Sequence, residues 1–274
     1  MVSPMKLISP ILVFVAISLL SLGLVLQHAA SAPNKTSSDQ PTRPVIVELF
    51  TSEGCSSCPP ADALLAKLDA QQRLGNAEII ALEEHVDYWN QLGWKDPFSS
   101  SEWTQRQQDY SGTFGNAGVY TPQMVVDGRT EFVGSSERKA RAAIADAAQQ
   151  PKAEVQIEPR ETGASEFRVK ISAKMLPGAD ASHNAEVWLA VTETGLHSNV
   201  SRGENAGEDL HHAAVVRSLR KAGSTAANEE PSFSGEQNVR LDPGWKRENL
   251  RFVVFVQEHK TRHILGAASV KIAQ

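Results

Sequence analysis

Apolar residues follow three patterns along this chain. Residues 7–26 are almost unbroken hydrophobic sequence; residues 45–150 mix short apolar runs with helical spacings; and from residue 151 onward apolar and polar positions alternate singly. The run Val45-Ile46-Val47-Glu48-Leu49-Phe50 is short and β-branched, which predicts a strand buried on both faces. Loop chemistry at residues 51–54 leads to Cys55-Ser56-Ser57-Cys58-Pro59-Pro60, and consecutive prolines fit a helix only at its start. Ala61, Leu64, Leu65 and Leu68 then recur at helical spacing, and Gly75-Asn76 closes the helix. Residues 78–86 form a second apolar run, at a spacing that suits a right-handed parallel crossover.

Further along, residues 99–111 predict a polar helix capped at Ser99 or Ser100. Thr121-Pro122 precede an apolar strand that reverses at Asp127-Gly128, a tight-hairpin signal, and residues 135–149 predict a helix with Ala140, Ala143, Ile144 and Ala147 on one face. Beyond it, residues 154–159, 166–174, 185–194, 212–219, 250–258 and 263–272 read as antiparallel strands of a β-sandwich-like domain spanning 151–274.

The opening run reads as an export signal: Lys6, the apolar stretch, then Ala30-Ser31-Ala32 as a small-residue cleavage pattern, giving a signal peptide over 1–32. The alternative is an uncleaved membrane anchor, because the run approaches bilayer-spanning length, although Pro10, Ser18, Ser21 and Gly23 weaken it. No cysteine follows closely, which excludes a lipid-modified amino terminus. Residues 33–44, rich in Ser, Thr, Pro and charge, read as a flexible linker. The folded part is therefore expected in the periplasm or secreted, where disulfides persist, with the membrane touched only if the signal stays.

Composition sets limits on function. A chain of 274 residues with 41% hydrophobic content can bury a core, and a net charge of −5 with interleaved signs excludes a nucleic-acid binder. Neither a Gly-x-Ser-x-Gly elbow nor a Gly-x-Gly-x-x-Gly loop occurs.

The chemistry points to the two cysteines, Cys55 and Cys58, the only ones in the chain. A helix amino terminus offers partial positive charge and free amides that stabilise a thiolate, so Cys55 is expected to attack and Cys58, one turn on, to resolve the mixed disulfide. Two other readings stand beside this one. As a staple the pair closes so short a ring that chain entropy yields only about 2 kcal/mol. As a metal site it needs further ligands, and His85 at the end of the second strand completes a Cys55, Cys58, His85 copper or zinc set. No organic cofactor is required for exchange.

Strand, CxxC, helix and strand are joined downstream by Val119 to Gly128, and this combination resembles the thioredoxin superfamily and its cis-proline segment. The resemblance implies that Pro122 is cis and packs on the dithiol, and that Thr121 offers backbone hydrogen bonds to a bound peptide. More narrowly, residues 47–62, 85–98 and 119–128 resemble a secreted bacterial thioredoxin-like family catalogued only as a domain of unknown function. The expected fold class is thus an α/β thioredoxin-like domain over 45–150 followed by a mainly antiparallel β-sandwich-like domain. Gly54 replaces the usual tryptophan and Ser56-Ser57 replace Gly-Pro, so the family's redox potential does not transfer. By the same resemblance Glu48 is a candidate buried acid that moves a proton for the resolving thiol, one residue farther from Cys55 than in thioredoxin; the alternative is a structural ion pair.

Residues 87–98 form an insertion rich in aromatics, in which Trp89 and Trp94 line a substrate wall or pack a core. The polar loop at residues 202–209 reads as a solvated turn or as a reach to the dithiol, and His211-His212 after it point to opposite strand faces, which argues against a shared metal. The function expected is an exported thiol–disulfide oxidoreductase or isomerase-like protein acting on exported proteins or a redox partner. The alternative is a non-catalytic binding protein, with copper or zinc or with a docked protein.

Overall fold

A computed structural model describes residues 42–175, 185–225 and 232–272. The expected signal peptide and most of the linker lie outside the described residues. Among the described residues, no helix is long and apolar enough to cross a membrane.

The apolar run predicted first forms β1 (Arg43–Thr51), and the two prolines sit at the first positions of α1 (Pro59–Gln71). There follow β2 (Arg73–Leu74), β3 (Ala77–His85), α2 (Ser101–Phe114), β4 (Gln123–Val126), β5 (Thr130–Val133) and α3 (Glu137–Ala147). The later strands are β6 (Glu154–Gly163), β7 (Glu166–Lys174), β8 (Ala185–Glu193), β9 (Leu196–Asn199), β10 (Asp209–His212), β11 (Val215–Ser224), β12 (Ser232–Arg240), β13 (Leu250–Glu258) and β14 (Ile264–Lys271).

The expected fold class is corrected here. An α/β thioredoxin-like domain followed by an antiparallel sandwich does not form. Strands from both halves share one mixed nine-stranded sheet in the order β14-β13-β8-β11-β3-β1-β4-β5, with β2 beside β3. The halves meet where β11 runs parallel to β3 at the pair Val215–Glu83, while β8, β13 and β14 continue antiparallel beyond it. The physical reason is edge pairing. Hydrophobic alternation reports which face of a strand is buried, but the free N–H and C=O row on the outer edge of β3 needs a partner, and a later strand supplies it.

Side-chain alternation then fixes three layers. Val45, Val47 and Leu49 of β1 meet Leu64, Leu65 and Leu68 of α1 and Ala140 and Ile144 of α3 on one face. Ile46 and Phe50 point to the other face, where Trp103 and Tyr110 of α2 pack among Leu82, Phe255 and Val125. A three-stranded sheet, β12-β7-β6, lays Phe167, Val169 and Ile171 against Val187, Leu189, Phe252 and Val254. The reversal between β4 and β5 is a three-residue loop, residues 127–129, whose first two members, Asp127 and Gly128, have positive φ angles, 49° and 62°, and a Cβ at Gly128 would come within 1.9 Å of the Arg262 carbonyl oxygen.

Helix α2 begins at Ser100, whose extended backbone and Oγ, accepting from the Glu102 N–H at 3.1 Å, make it the amino-terminal cap. Ser100→Ala leaves that amide without its acceptor and is expected to lower stability by about 1 kcal/mol, read as a lowered urea midpoint at unchanged slope.

Candidate functional site

Cys55 and Cys58 are disulfide-linked where the loop after β1 enters α1, and both are completely buried, while Ser56 and Ser57 between them are exposed. The loop is tied by two tight turns, Cys55 N–H to the Ser52 carbonyl and Cys58 N–H to the Cys55 carbonyl, each 3.1 Å. Two hydroxyls lie at the Cys55 sulfur: Thr121 Oγ1 at 3.3 Å, donating to it, and Ser57 Oγ at 3.4 Å. The Thr121–Pro122 bond is cis. The expectation of free amides at the helix start needs correction: the first two residues of α1 are Pro59 and Pro60, which have no N–H, and Ala61 N–H is spent on the Cys58 carbonyl. The polar groups at the Cys55 sulfur are therefore the two hydroxyls and not helix amides.

Both arms that cover the dithiol come from elsewhere in the chain. Trp89 donates its indole N–H to Thr121 Oγ1 at 2.9 Å, and its Cβ lies so close to Gly54 that an added methyl would sit at 3.1 Å. A larger residue before the first cysteine would have to displace Trp89 slightly. Trp94 donates to Glu53 Oε2 at 2.7 Å. The loop at residues 202–209 does reach the dithiol: Asn205 Nδ2 donates to the carbonyls of Glu53, at 2.8 Å, and Cys55, at 3.1 Å, and Glu204 Oε2 accepts from Ser56 N–H at 3.1 Å. Gly203, at φ +80°, packs on Trp94, joining the two arms.

Glu53 opens into a buried polar cluster. His212 contacts Glu53 Oε1 through Nε2 at 3.2 Å and Glu83 Oε1 through Nδ1 at 2.9 Å. Glu83 Oε2 accepts from Ala213 N–H at 2.8 Å. His85 Nδ1 pairs with Asp96 Oδ2 at 2.7 Å, an oxygen that also accepts from Glu53 N–H, and His85 Nε2 is 3.7 Å from Glu83 Oε1 with no hydrogen-bond partner. Asp62, in the first turn of α1, accepts from Thr51 Oγ1 at 2.6 Å through one oxygen and leaves the other unpartnered. Burial and the neighbouring Glu83 push the Asp62 carboxyl up to about 7. Burial acts to lower both imidazoles but is outweighed, in His212 by Glu83, which leaves it at about 9, and in His85 by Asp96, which leaves it well above its ordinary value.

The predicted residues thus divide into groups. Cys55, Cys58, Thr121, Pro122 and Trp89 come together, and Trp94 reaches the same loop through Glu53. His85 is fully buried in the polar cluster, where its nitrogens face Asp96 and Glu83 and neither bonds a cysteine sulfur. Glu48 points to the α2 face of β1, opposite the face that packs on α1, and is held by Arg106 at 2.5 Å and by the Tyr110 hydroxyl at 2.5 Å. Its surroundings are those of the structural ion pair named above as the alternative.

Sequence reasoning missed Glu53, Asp62, Glu83 and Asp96. The available signals were Asp62 on the apolar face of a helix and three consecutive polar residues, Glu83-Glu84-His85, ending an otherwise buried strand.

Residues 46–257 match the family described as protein of unknown function (DUF1223). Nothing among curated proteins matches. Among solved structures, the protein AGR_C_4864 from Agrobacterium tumefaciens is similar at 27% identity and a TM-score of 0.63, covering 86% of this chain and 97% of that one. HBP35 of Porphyromonas gingivalis, at 16% identity and a TM-score of 0.62, covers 85% of this chain and 76% of its own and is alike in fold alone.

Proposed function

The chain belongs to the DUF1223 family, and we propose that its Cys55–Cys58 pair is a redox-active disulfide that exchanges with thiols of exported proteins or of a redox partner, in the periplasm or outside the cell. The observation that carries the proposal is the pair of hydroxyls on one sulfur: Thr121 and Ser57 both contact Cys55 Sγ, which supports Cys55 as the sulfur that carries negative charge during exchange. The likeness to the thioredoxin superfamily enters only at this local level, as a CxxC before a helix with a Thr–cis-Pro step beside it.

In the reducing direction the Cys55 thiolate attacks a substrate disulfide. A mixed disulfide forms and one substrate thiolate leaves; Cys58 thiolate then attacks Cys55, the second substrate thiolate leaves, and the protein ends oxidised by two electrons. The oxidising direction runs the same steps backwards. Because both sulfurs are buried, a substrate gains access when the Asn205 and Glu204 bonds to the 53–56 loop release.

The test is the equilibrium potential of the pair, from thiol labelling across graded glutathione and dithiothreitol buffers. The proposal expects a value between about −120 and −270 mV, the span of exchange catalysts. A potential well below about −300 mV marks an inert bridge and overturns it.

A further inference from the structure

We infer that Glu83, His85 and His212 form a binding site for one divalent cation of the zinc type, distinct from the dithiol and joined to its loop through Glu53. The three residues come from β3 and β10, all are buried, and their ligand atoms lie within 4.8 Å of one another. Zinc bonds of about 2.0–2.2 Å in a tetrahedral site place neighbouring donor atoms about 3.3–3.5 Å apart. The two separations from Glu83 Oε1, 2.9 Å to His212 Nδ1 and 3.7 Å to His85 Nε2, straddle that spacing.

The outer shell matches what a metal-bound imidazole needs. A ligating histidine hands its other nitrogen to a carboxylate, which fixes the tautomer and aims the free lone pair. Asp96 takes Nδ1 of His85 and Glu53 takes Nε2 of His212, so the nitrogens left over both face Glu83. The second oxygen of Glu83 is held by the Ala213 amide, which fixes the carboxylate in turn. A network of histidine–carboxylate hydrogen bonds alone leaves two buried atoms unexplained, His85 Nε2 and Asp62 Oδ2, both unpartnered. A cation at Glu83, His85 and His212 gives the first of them a partner.

Charge favours the same answer. Glu53, Asp62, Glu83 and Asp96 are four buried carboxylates facing two imidazoles, and among the described residues no lysine or arginine forms an ion pair with any of them. Buried carboxylates require compensation, and a divalent cation held between Glu83 and the two imidazoles supplies it.

The test uses the full chain produced in zinc-supplemented medium and freed of loosely held metal by gel filtration. The expected result is one equivalent of zinc, with an X-ray absorption spectrum of nitrogen and oxygen donors that includes imidazole and no sulfur. Cys55→Ser/Cys58→Ser and the exposed neighbour variant His211→Gln keep the equivalent, and His212→Gln weakens retention at least tenfold. A metal-free wild-type protein overturns the inference, and so does sulfur in the coordination shell, which moves the ion to the dithiol. The wild-type spectrum decides the matter even where His212→Gln fails to fold. Absence of exchange activity in the wild-type protein with its zinc retained would overturn the dithiol proposal and leave this one standing.

Discussion

Arg106→Ala is expected to lower folding stability by about 3–5 kcal/mol, the loss that follows when one partner of a buried ion pair is removed. Arg106 is buried and bonds Glu48 through Nε at 2.7 Å, faces Glu84 at 3.3 Å, and reaches Gln257 and Tyr110, each at 3.2 Å. Its guanidinium also lies over the rings of Tyr110 and Phe255, so the side chain ties β1, β3, α2 and β13 together. Truncation leaves Glu48 held by the Tyr110 hydroxyl alone and takes from the fully buried Glu84 its one ion-pair partner among the described residues. Tyr110 cannot take over the charge: burial above all, with the neighbouring Glu48 and Glu84 and against the opposing pull of Arg106, holds its phenol well above the ordinary value, so it remains only a donor. The measurement is urea unfolding followed by fluorescence and circular dichroism. The double variant Arg106→Met/Glu48→Gln is expected to recover part of the loss, because it removes one stranded charge together with its partner. Equal loss in the single and double variants would show that packing, not charge, is what Arg106 supplies.

Arg106 also shows where a sequence can be read and where it cannot. Glu48 stands out in an apolar strand, and alternation places it correctly beside Ile46 and Phe50. What alternation does not give is the element that packs on that face, and α2, which brings Arg106, decides that Glu48 is an ion-pair partner. The dithiol was legible because its parts are contiguous: two cysteines, two prolines and a glycine in one short stretch, and Thr121-Pro122 before an apolar strand. The polar cluster was not, because its members come from the first loop, α1, β3, the insertion and β10, and converge only once β11 has docked on β3. The same docking explains the fold. Strict alternation along β7, in which Phe167, Val169, Ile171 and Ala173 face inward, suited a sandwich, and a second sheet does form there; the strands it covers belong to the sheet that begins with β1. Strand alternation gives His212 its opposite facing from His211, but not its buried partners Glu53 and Glu83, which come from distant segments.

The largest kinetic effect is expected at the dithiol, and the two single substitutions should fail differently. With Cys58→Ser the attacking sulfur remains and the resolving one is gone, so the reaction stops after its first step and a mixed disulfide accumulates at Cys55. With Cys55→Ser the remaining Cys58 has neither the Thr121 nor the Ser57 hydroxyl at its sulfur, and little mixed disulfide forms. Turnover falls about a thousandfold or more in both variants, the scale on which loss of an attacking nucleophile acts. Non-reducing electrophoresis with mass spectrometry of trapped partners reads the difference directly. The asymmetry matters more than the loss, since any broken disulfide abolishes turnover. Only a site that polarises one sulfur traps substrate in one variant and not the other. Trapping through Cys58 in the Cys55→Ser protein, at the rate seen with Cys58→Ser, would mean that the Thr121 hydroxyl is there to pack the cis-proline segment and that the choice of nucleophile lies elsewhere.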